Sequence, residues 1–146
     1  MYLKKSKIDD LKTFYTMSQQ KHIGKHLNAK SLKEFENEFK DDDTLFLSVM
    51  SDENIAGYII LVVETESVQL KRIVIDENYL GIGSKVLLFL DNCCQNIIDK
   101  NELWLDVYAD NKRAISLYEK FGYSRYSEGV ENCREVWFYR KKVFKR

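Results

Sequence analysis

Apolar and polar positions recur with different periods along the chain, and each change of period predicts a change of element. Tyr2 to Lys5 reads as a short first strand. Ser6 stands ahead of Ile8, Leu11, Phe14 and Tyr15, whose three-to-four spacing predicts a helix from about Ile8 to Gln20 with Ser6 as its cap. Lys21 to Lys30 is polar and aperiodic, and irregular chain is expected there. Ser31 followed by Glu34 is a capping-box pair, opening a helix through Phe39 with Leu32, Phe35 and Phe39 as its apolar stripe. Asp41-Asp42-Asp43 ends it in a solvated loop.

The period then shortens to that of strands. Thr44 to Met50, Ile55 to Glu64 and Val68 to Ile75 are separated by turns at Ser51 to Asn54 and Thr65 to Ser67, a spacing that suits an antiparallel meander. Val86, Leu87, Leu90, Cys93, Cys94 and Ile97 return to the helical period and predict a helix from Ile82 to Ile98 with all six on its buried face. Leu103, Leu105 and Val107 alternate with Trp104, Asp106 and Tyr108 as in a strand. Asn111 to Phe121 predicts a short helix, closed by Gly122 in a left-handed cap. Strands near Tyr123 to Glu128 and Glu135 to Val143 follow. The expected fold is a mixed α+β domain around one sheet, with residues 1–146 as a single domain.

Composition narrows the class. Hydrophobic residues make up 45% and charged residues 32% of the 146, which is the balance of a globular chain. Lys plus Arg equal Asp plus Glu at 23 each, so no general basic surface is offered to nucleic acid. No apolar h-region follows Met1-Tyr2-Leu3-Lys4-Lys5, and no run approaches the roughly 18–20 apolar residues of a membrane span. Cys93, Cys94 and Cys133 lack a metal-ligand pattern. A cytoplasmic protein with reduced thiols, no metal, no membrane and no nucleic-acid partner is expected.

The junction Ile73-Val74-Ile75-Asp76-Glu77-Asn78-Tyr79-Leu80-Gly81-Ile82-Gly83-Ser84 delivers a strand into a helix through a glycine-bearing turn. First-turn amides and the helix dipole attract phosphate, and glycine lets backbone approach it. Two glycines also suit a tight turn with no ligand. Neither a P-loop ending nor a dinucleotide-binding third glycine is present.

Leu70-Lys71-Arg72-Ile73-Val74-Ile75, Asn78-x-x-Gly81-x-Gly83, Leu103-Trp104-Leu105-Asp106-Val107 and Asn111 to Tyr123 together resemble the GNAT superfamily of N-acetyltransferases. The flavour is that of its ribosomal-protein alanine and polyamine acetyltransferases. The likeness covers about residues 44–143 and is densest over 68–123; the Asn-x-x-Ala-x-x-Leu-Tyr-x-x-x-Gly-aromatic segment is its most specific part. It implies a central, mostly antiparallel sheet of six to seven strands flanked by helices. It also implies acetyl-coenzyme A as co-substrate, bound between the strands at 68–75 and 103–108. Backbone groups of Ile73, Val74 and Ile75 would pair with the pantetheine arm. Amides from Asn78 through Tyr79, Leu80, Gly81, Ile82 and Gly83 to Ser84 would hold the pyrophosphate. Asn111 would hydrogen-bond the pantetheine, Ser116 would belong to the same binding surface, and Tyr118 would sit near the sulfur. The family's turn begins with Gln or Arg, where this chain has Asn78, so a phosphate-facing guanidinium is missing.

Amide formation from a thioester needs a neutral amine, a polarised carbonyl and a proton for the departing thiolate. Tyr118 is the candidate acid, since a phenol with a reference pKa of about 10 is protonated at neutral pH. On its helix alone it is equally a core tyrosine. Asp106, twelve residues earlier, is the candidate base, with Glu64, Glu66, Glu135 and water as alternatives. His22 and His26 read as exposed histidines near the acceptor side. Arg140, Lys141, Lys142, Lys145 and Arg146 read as a solvated basic end. The acceptor is a primary amine of a small molecule or protein, with no motif naming it, and the chain is a monomer or homodimer. A coenzyme A-binding sensor or interaction module without catalysis is the other reading.

Overall fold

The computed structural model describes residues 1–24 and 27–143. Its strands run in the order β1-β2-β3-β4-β5-β7-β6 in a seven-stranded mixed sheet flanked by helices, the α+β architecture expected. The described residues group into two compact units, one from Met1–Val63 with Lys71–Ile82 and one from Glu64–Leu70 with Gly83–Arg146.

In the first unit, β1 (Tyr2–Lys5), β2 (Thr44–Ser51) and β3 (Asn54–Val63) are antiparallel neighbours, and β4 (Val68–Ile75) enters from residue 71 onward. A 3-10 turn at Ile8–Asp10 leads into α1 (Leu11–Ser18). Ser6 does not cap it. Its hydroxyl is buried and hydrogen-bonded at 2.8 Å to that of Ser48 on β2, and the Asp10 carboxylate accepts the Lys7 N–H instead. A short helix α2 (Lys21–Gly24) occupies part of the segment read as irregular, because Ile23 there is buried in the core. In α3 (Leu32–Phe39) the capping box forms as read, Ser31 Oγ accepting from Glu34 N–H and Glu34 accepting from Ser31 N–H.

The core of this unit joins Leu11, Phe14 and Met17 of α1 and Phe35 of α3 to Phe46, Tyr58, Ile60 and Val74 of the strands. Phe14 stacks on Tyr58 at 4.5 Å between ring centroids, and Phe35 meets the same ring edge-on at 5.9 Å. A Cβ at Gly57 would stand 2.4 Å from the Val74 carbonyl oxygen. Glycine is therefore required for β3 to run this close to β4.

In the second unit, the start of β4 pairs in parallel with β5 (Glu102–Tyr108) through Val68↔Leu103 and Gln69↔Trp104. β7 (Arg134–Lys142) lies antiparallel to β5, and β6 (Ser124–Glu131) antiparallel to β7. Asn132 and Cys133 both adopt left-handed φ (54° and 60°), the primed turn that joins a twisted β6–β7 hairpin in two residues. The helices are α4 (Gly83–Cys93) and α5 (Lys112–Lys120). Gly122 takes φ 93°, the left-handed position expected for it.

The long helix read over Ile82 to Ile98 stops being α-helical at Cys93 and continues as a π turn over Cys94–Ile98. The wider turn breaks the 3.6-residue phase. Val86, Leu87, Leu90, Cys93 and Cys94 are buried as expected, but Ile97 is 79% exposed. Cys94 Sγ, donating to the Lys100 carbonyl at 3.3 Å, ties the turn's end back. No helix among the described residues is long and apolar enough to cross a membrane.

Candidate functional site

At the end of β4 in the first unit, backbone groups are held by side chains from α1 and α2. His22 Nε2 donates to the Ile75 carbonyl at 2.7 Å, so His22 is a half-buried strut and not an exposed loop histidine. Gln20, just past α1, donates to Asp76 Oδ2 at 3.0 Å and accepts the Glu77 N–H at 2.9 Å. Asp76 in turn accepts the Asn78 N–H on its carboxylate and the Tyr79 N–H on its carbonyl, each at 2.9 Å. Two amides of the sequence-predicted cradle are thus occupied. Those of Leu80, Gly81, Ile82, Gly83 and Ser84 make no hydrogen bond among the described residues. Gly81 has φ 102° and nothing within 4 Å of where a Cβ would stand. Leu80 is 49% exposed. Ile73 and Ile75 are half-buried, while the Val74 side chain belongs to the core.

Gly83 and Ser84 open α4 in the second unit. A Cβ at Gly83 would lie 3.1 Å from Leu117 Cδ2, so glycine lets the start of α4 sit against α5. Asn111 caps α5, its Oδ1 accepting the Ala114 N–H at 3.3 Å, and Ser116 is exposed on the same helix.

Tyr118, on α5, is 8% exposed and meets the Tyr123 ring edge-on at 5.7 Å. Its hydroxyl makes no hydrogen bond among the described residues. Burial pushes its pKa up to about 12, and the Asp106 charge adds to the effect. The phenol therefore stays protonated throughout the physiological range. Asp106 lies on β5 opposite Phe138 of β7. Desolvation raises its pKa, with the nearby Glu131 charge contributing in the same direction. A carboxylate raised in this way is a stronger base than an ordinary one. The other candidate bases are differently placed. Glu64 Oε1 accepts from Trp104 Nε1 at 2.6 Å and from Ser67 Oγ at 2.8 Å, Glu135 accepts from Trp137 Nε1 at 2.9 Å, and Glu66 is exposed.

The sequence pattern did not single out Gln20, Asp76 or Gly57, because their roles depend on partners far along the chain. Tyr123 is another such residue. It is 3% exposed, and its hydroxyl has no partner among the described residues. The basic end is also more than a solvated edge: Lys141 pairs with Asp91 of α4 at 2.5 Å, Lys142 with Glu102 at 3.6 Å, and Arg140 stacks over Tyr126 at 4.7 Å. His26, Lys145 and Arg146 lie outside the described residues.

Three solved structures show how far the likeness of fold extends. The ribosomal-protein-S18-alanine N-acetyltransferase from Escherichia coli superimposes with a TM-score of 0.83 at 21% identity, over 99% of this chain and 94% of that one. Spermidine N-acetyltransferase from Vibrio cholerae, solved with CoA and spermine, gives 0.82 at 18% identity over 97% and 94%. An aminoglycoside acetyltransferase solved with coenzyme A gives 0.81 at 18% identity over 97% and 94%. No curated protein sequence matches this one. The family model for the acetyltransferase (GNAT) family matches residues 9–123, taking in β4, the glycine turn, Asp106 and Tyr118. This chain therefore belongs to the acetyltransferase (GNAT) family.

Proposed function

We propose that this protein is an N-acetyltransferase that moves the acetyl group of acetyl-CoA onto a primary amine. The observation that carries the reading is Tyr118: a buried, protonated phenol whose hydroxyl no protein group claims, within the matched family region. Neighbours of the same fold were solved with CoA or coenzyme A, and one with spermine, which supports the choice of co-substrate and of an amine acceptor.

The amides of Leu80 to Ser84 supply donors for the phosphates of acetyl-CoA, at the positive end of the α4 dipole. Asn78 brings no guanidinium, so phosphate binding rests on backbone. Strand residues Ile73 and Ile75 flank the pantetheine arm, and Asn111 and Ser116 complete the binding set. Asp106 takes the proton from the ammonium form of the acceptor. The neutral nitrogen then forms a bond to the thioester carbonyl carbon and gives its surplus proton to water, the carbon–sulfur bond breaks, and Tyr118 gives its proton to the departing thiolate. Asp106 ends protonated and Tyr118 deprotonated, and solvent exchange restores both. The amide, the free thiol and one proton released to solvent balance the thioester and ammonium consumed.

Two measurements test this reading. Acetyl-CoA at millimolar concentration raises the melting temperature, because a ligand bound only by the native state stabilises it. Thiol release in a panel of amines then identifies turnover. An unchanged melting temperature overturns the proposal; binding without thiol release across the panel leaves a coenzyme A-binding module instead.

A further inference from the structure

The turn that follows β4 has little of its own to hold it in shape. The chain contains no proline, so no φ in the turn is set by a ring. Gly81 stands at φ 102° with nothing within 4 Å of a Cβ position, and glycine loses more conformational freedom on ordering than any other residue. Asn78 brings no guanidinium, so a phosphate at this turn is met by backbone. How well the amides after Tyr79 are aimed therefore depends on how firmly the chain before them is held.

That hold comes from residues 53 to 57 positions away in sequence. Gln20 Nε2 donates to Asp76 Oδ2 at 3.0 Å while its Oε1 accepts the Glu77 N–H at 2.9 Å, so one side-chain amide grips a side chain and the backbone beside it. Asp76 Oδ1 accepts the Asn78 N–H at 2.9 Å. Both carboxylate oxygens are thus engaged, and neither is left to compete for the amides of Leu80 and Gly81. One residue earlier, His22 donates to the Ile75 carbonyl at 2.7 Å. Ile75, Asp76 and Glu77 are in this way held one after another by Gln20 and the first turn of α2. Gln20, His22 and Asp76 are half-buried, where water competes less for such bonds.

The unit has other means of seating these elements. Leu11, Phe14 and Met17 anchor α1 in the core, Ile23 anchors α2 and Val74 anchors β4. What the polar clamp adds is the conformation of the chain as it enters the turn.

We propose that Gln20 and His22 are positioning residues for acetyl-CoA, acting through the backbone of Ile75 to Glu77 to present the amides that follow. The inference rests on the transferase reading, and it adds two residues that lie outside the strand and turn expected to touch the co-substrate.

The test titrates coenzyme A calorimetrically into the full chain, and into Gln20→Met, His22→Phe and His22→Gln variants whose melting temperatures verify folding. Gln20→Met keeps the length of the side chain, removes both polar ends and weakens coenzyme A binding about tenfold. His22→Phe weakens it about threefold, and His22→Gln, which restores an N–H donor, recovers most of that loss. In thiol release, Gln20→Met raises the KM for acetyl-CoA about tenfold, with kcat and the KM for the amine within about twofold of wild type. A residue that only stabilised the fold would lower the melting temperature and leave the coenzyme A affinity of the folded chain unchanged. That outcome in Gln20→Met overturns this inference and leaves the transferase reading standing. Equal losses in His22→Phe and His22→Gln overturn it as well. Absence of coenzyme A binding by the wild-type chain overturns the transferase reading, and this inference with it.

Discussion

Each compact unit buries a tyrosine against aromatic neighbours, yet the two hydroxyls are treated in opposite ways. Tyr58 in the first unit is fully buried, and its oxygen is shared with Ser18 Oγ at 2.5 Å and the Arg72 Nε donor at 3.0 Å. Arg72 also reaches the Asn28 carbonyl at 3.1 Å, so the tyrosine anchors a charged side chain that is itself only 8% exposed. Tyr118 in the second unit is nearly as buried, but no protein group among the described residues takes its hydroxyl. The fully buried hydroxyl without a partner among the described residues of this unit is that of Tyr123, whereas the Tyr118 oxygen is not such an atom and so is open to a substrate. A saturated tyrosine holds a fold together; an unclaimed one is a candidate for chemistry.

Three substitutions sharpen or break this contrast. The largest effect is expected from Tyr118→Phe. A general acid typically contributes on the order of 10²–10⁴ in rate, so kcat falls by about 10² or more while acetyl-CoA affinity, read by calorimetry, changes little. Equal loss of both would make Tyr118 a packing residue like its counterpart. Tyr58→Phe is intermediate and acts on stability. It strands Arg72 Nε in a buried site and costs about 1–3 kcal/mol in denaturant unfolding, with turnover per folded molecule retained.

The smallest effect concerns Asp106. Its native pKa is raised, so between the unfolded value and the native one the folded chain binds more protons than the unfolded chain, and stability falls as pH rises through that window. Asp106→Asn removes the penalty. The melting temperature rises by under about 2 °C at neutral pH, and the difference vanishes below the ordinary carboxylate range. Turnover falls in the same variant if Asp106 is the base. A variant that melts lower than wild type at neutral pH would show that the carboxylate makes a stabilising contact instead.

Much of this fold was legible as pattern. The Ser31–Glu34 capping box, the strand Val68–Ile75 and the left-handed Gly122 are local features whose signals lie within a few residues of one another, and each formed where it was read. The misreadings share the opposite property. Ser6 looked like a cap, but a serine on β2, 42 residues away in sequence, claimed its hydroxyl. Ile97 fell in phase with its helix until a π turn shifted the phase, and nothing in the apolar spacing announces that turn. His22 looked solvent-facing because its acceptor is a backbone carbonyl 53 residues away.

The sequence by itself determined most of the elements, their order and, through the Asn111-to-Tyr123 segment and the glycine turn, the resemblance that the family match bears out. Periodicity, caps and turn residues act over one or two helical turns, and a linear pattern records them. Tertiary structure decided which amides of the turn are already spent on Asp76 and that the Tyr118 and Tyr123 hydroxyls are left unclaimed among the described residues. It also set Gln20 and His22 against the end of β4 and the start of the turn. Those outcomes depend on whether a polar group meets a partner from a distant part of the chain, and composition and spacing carry no record of that meeting.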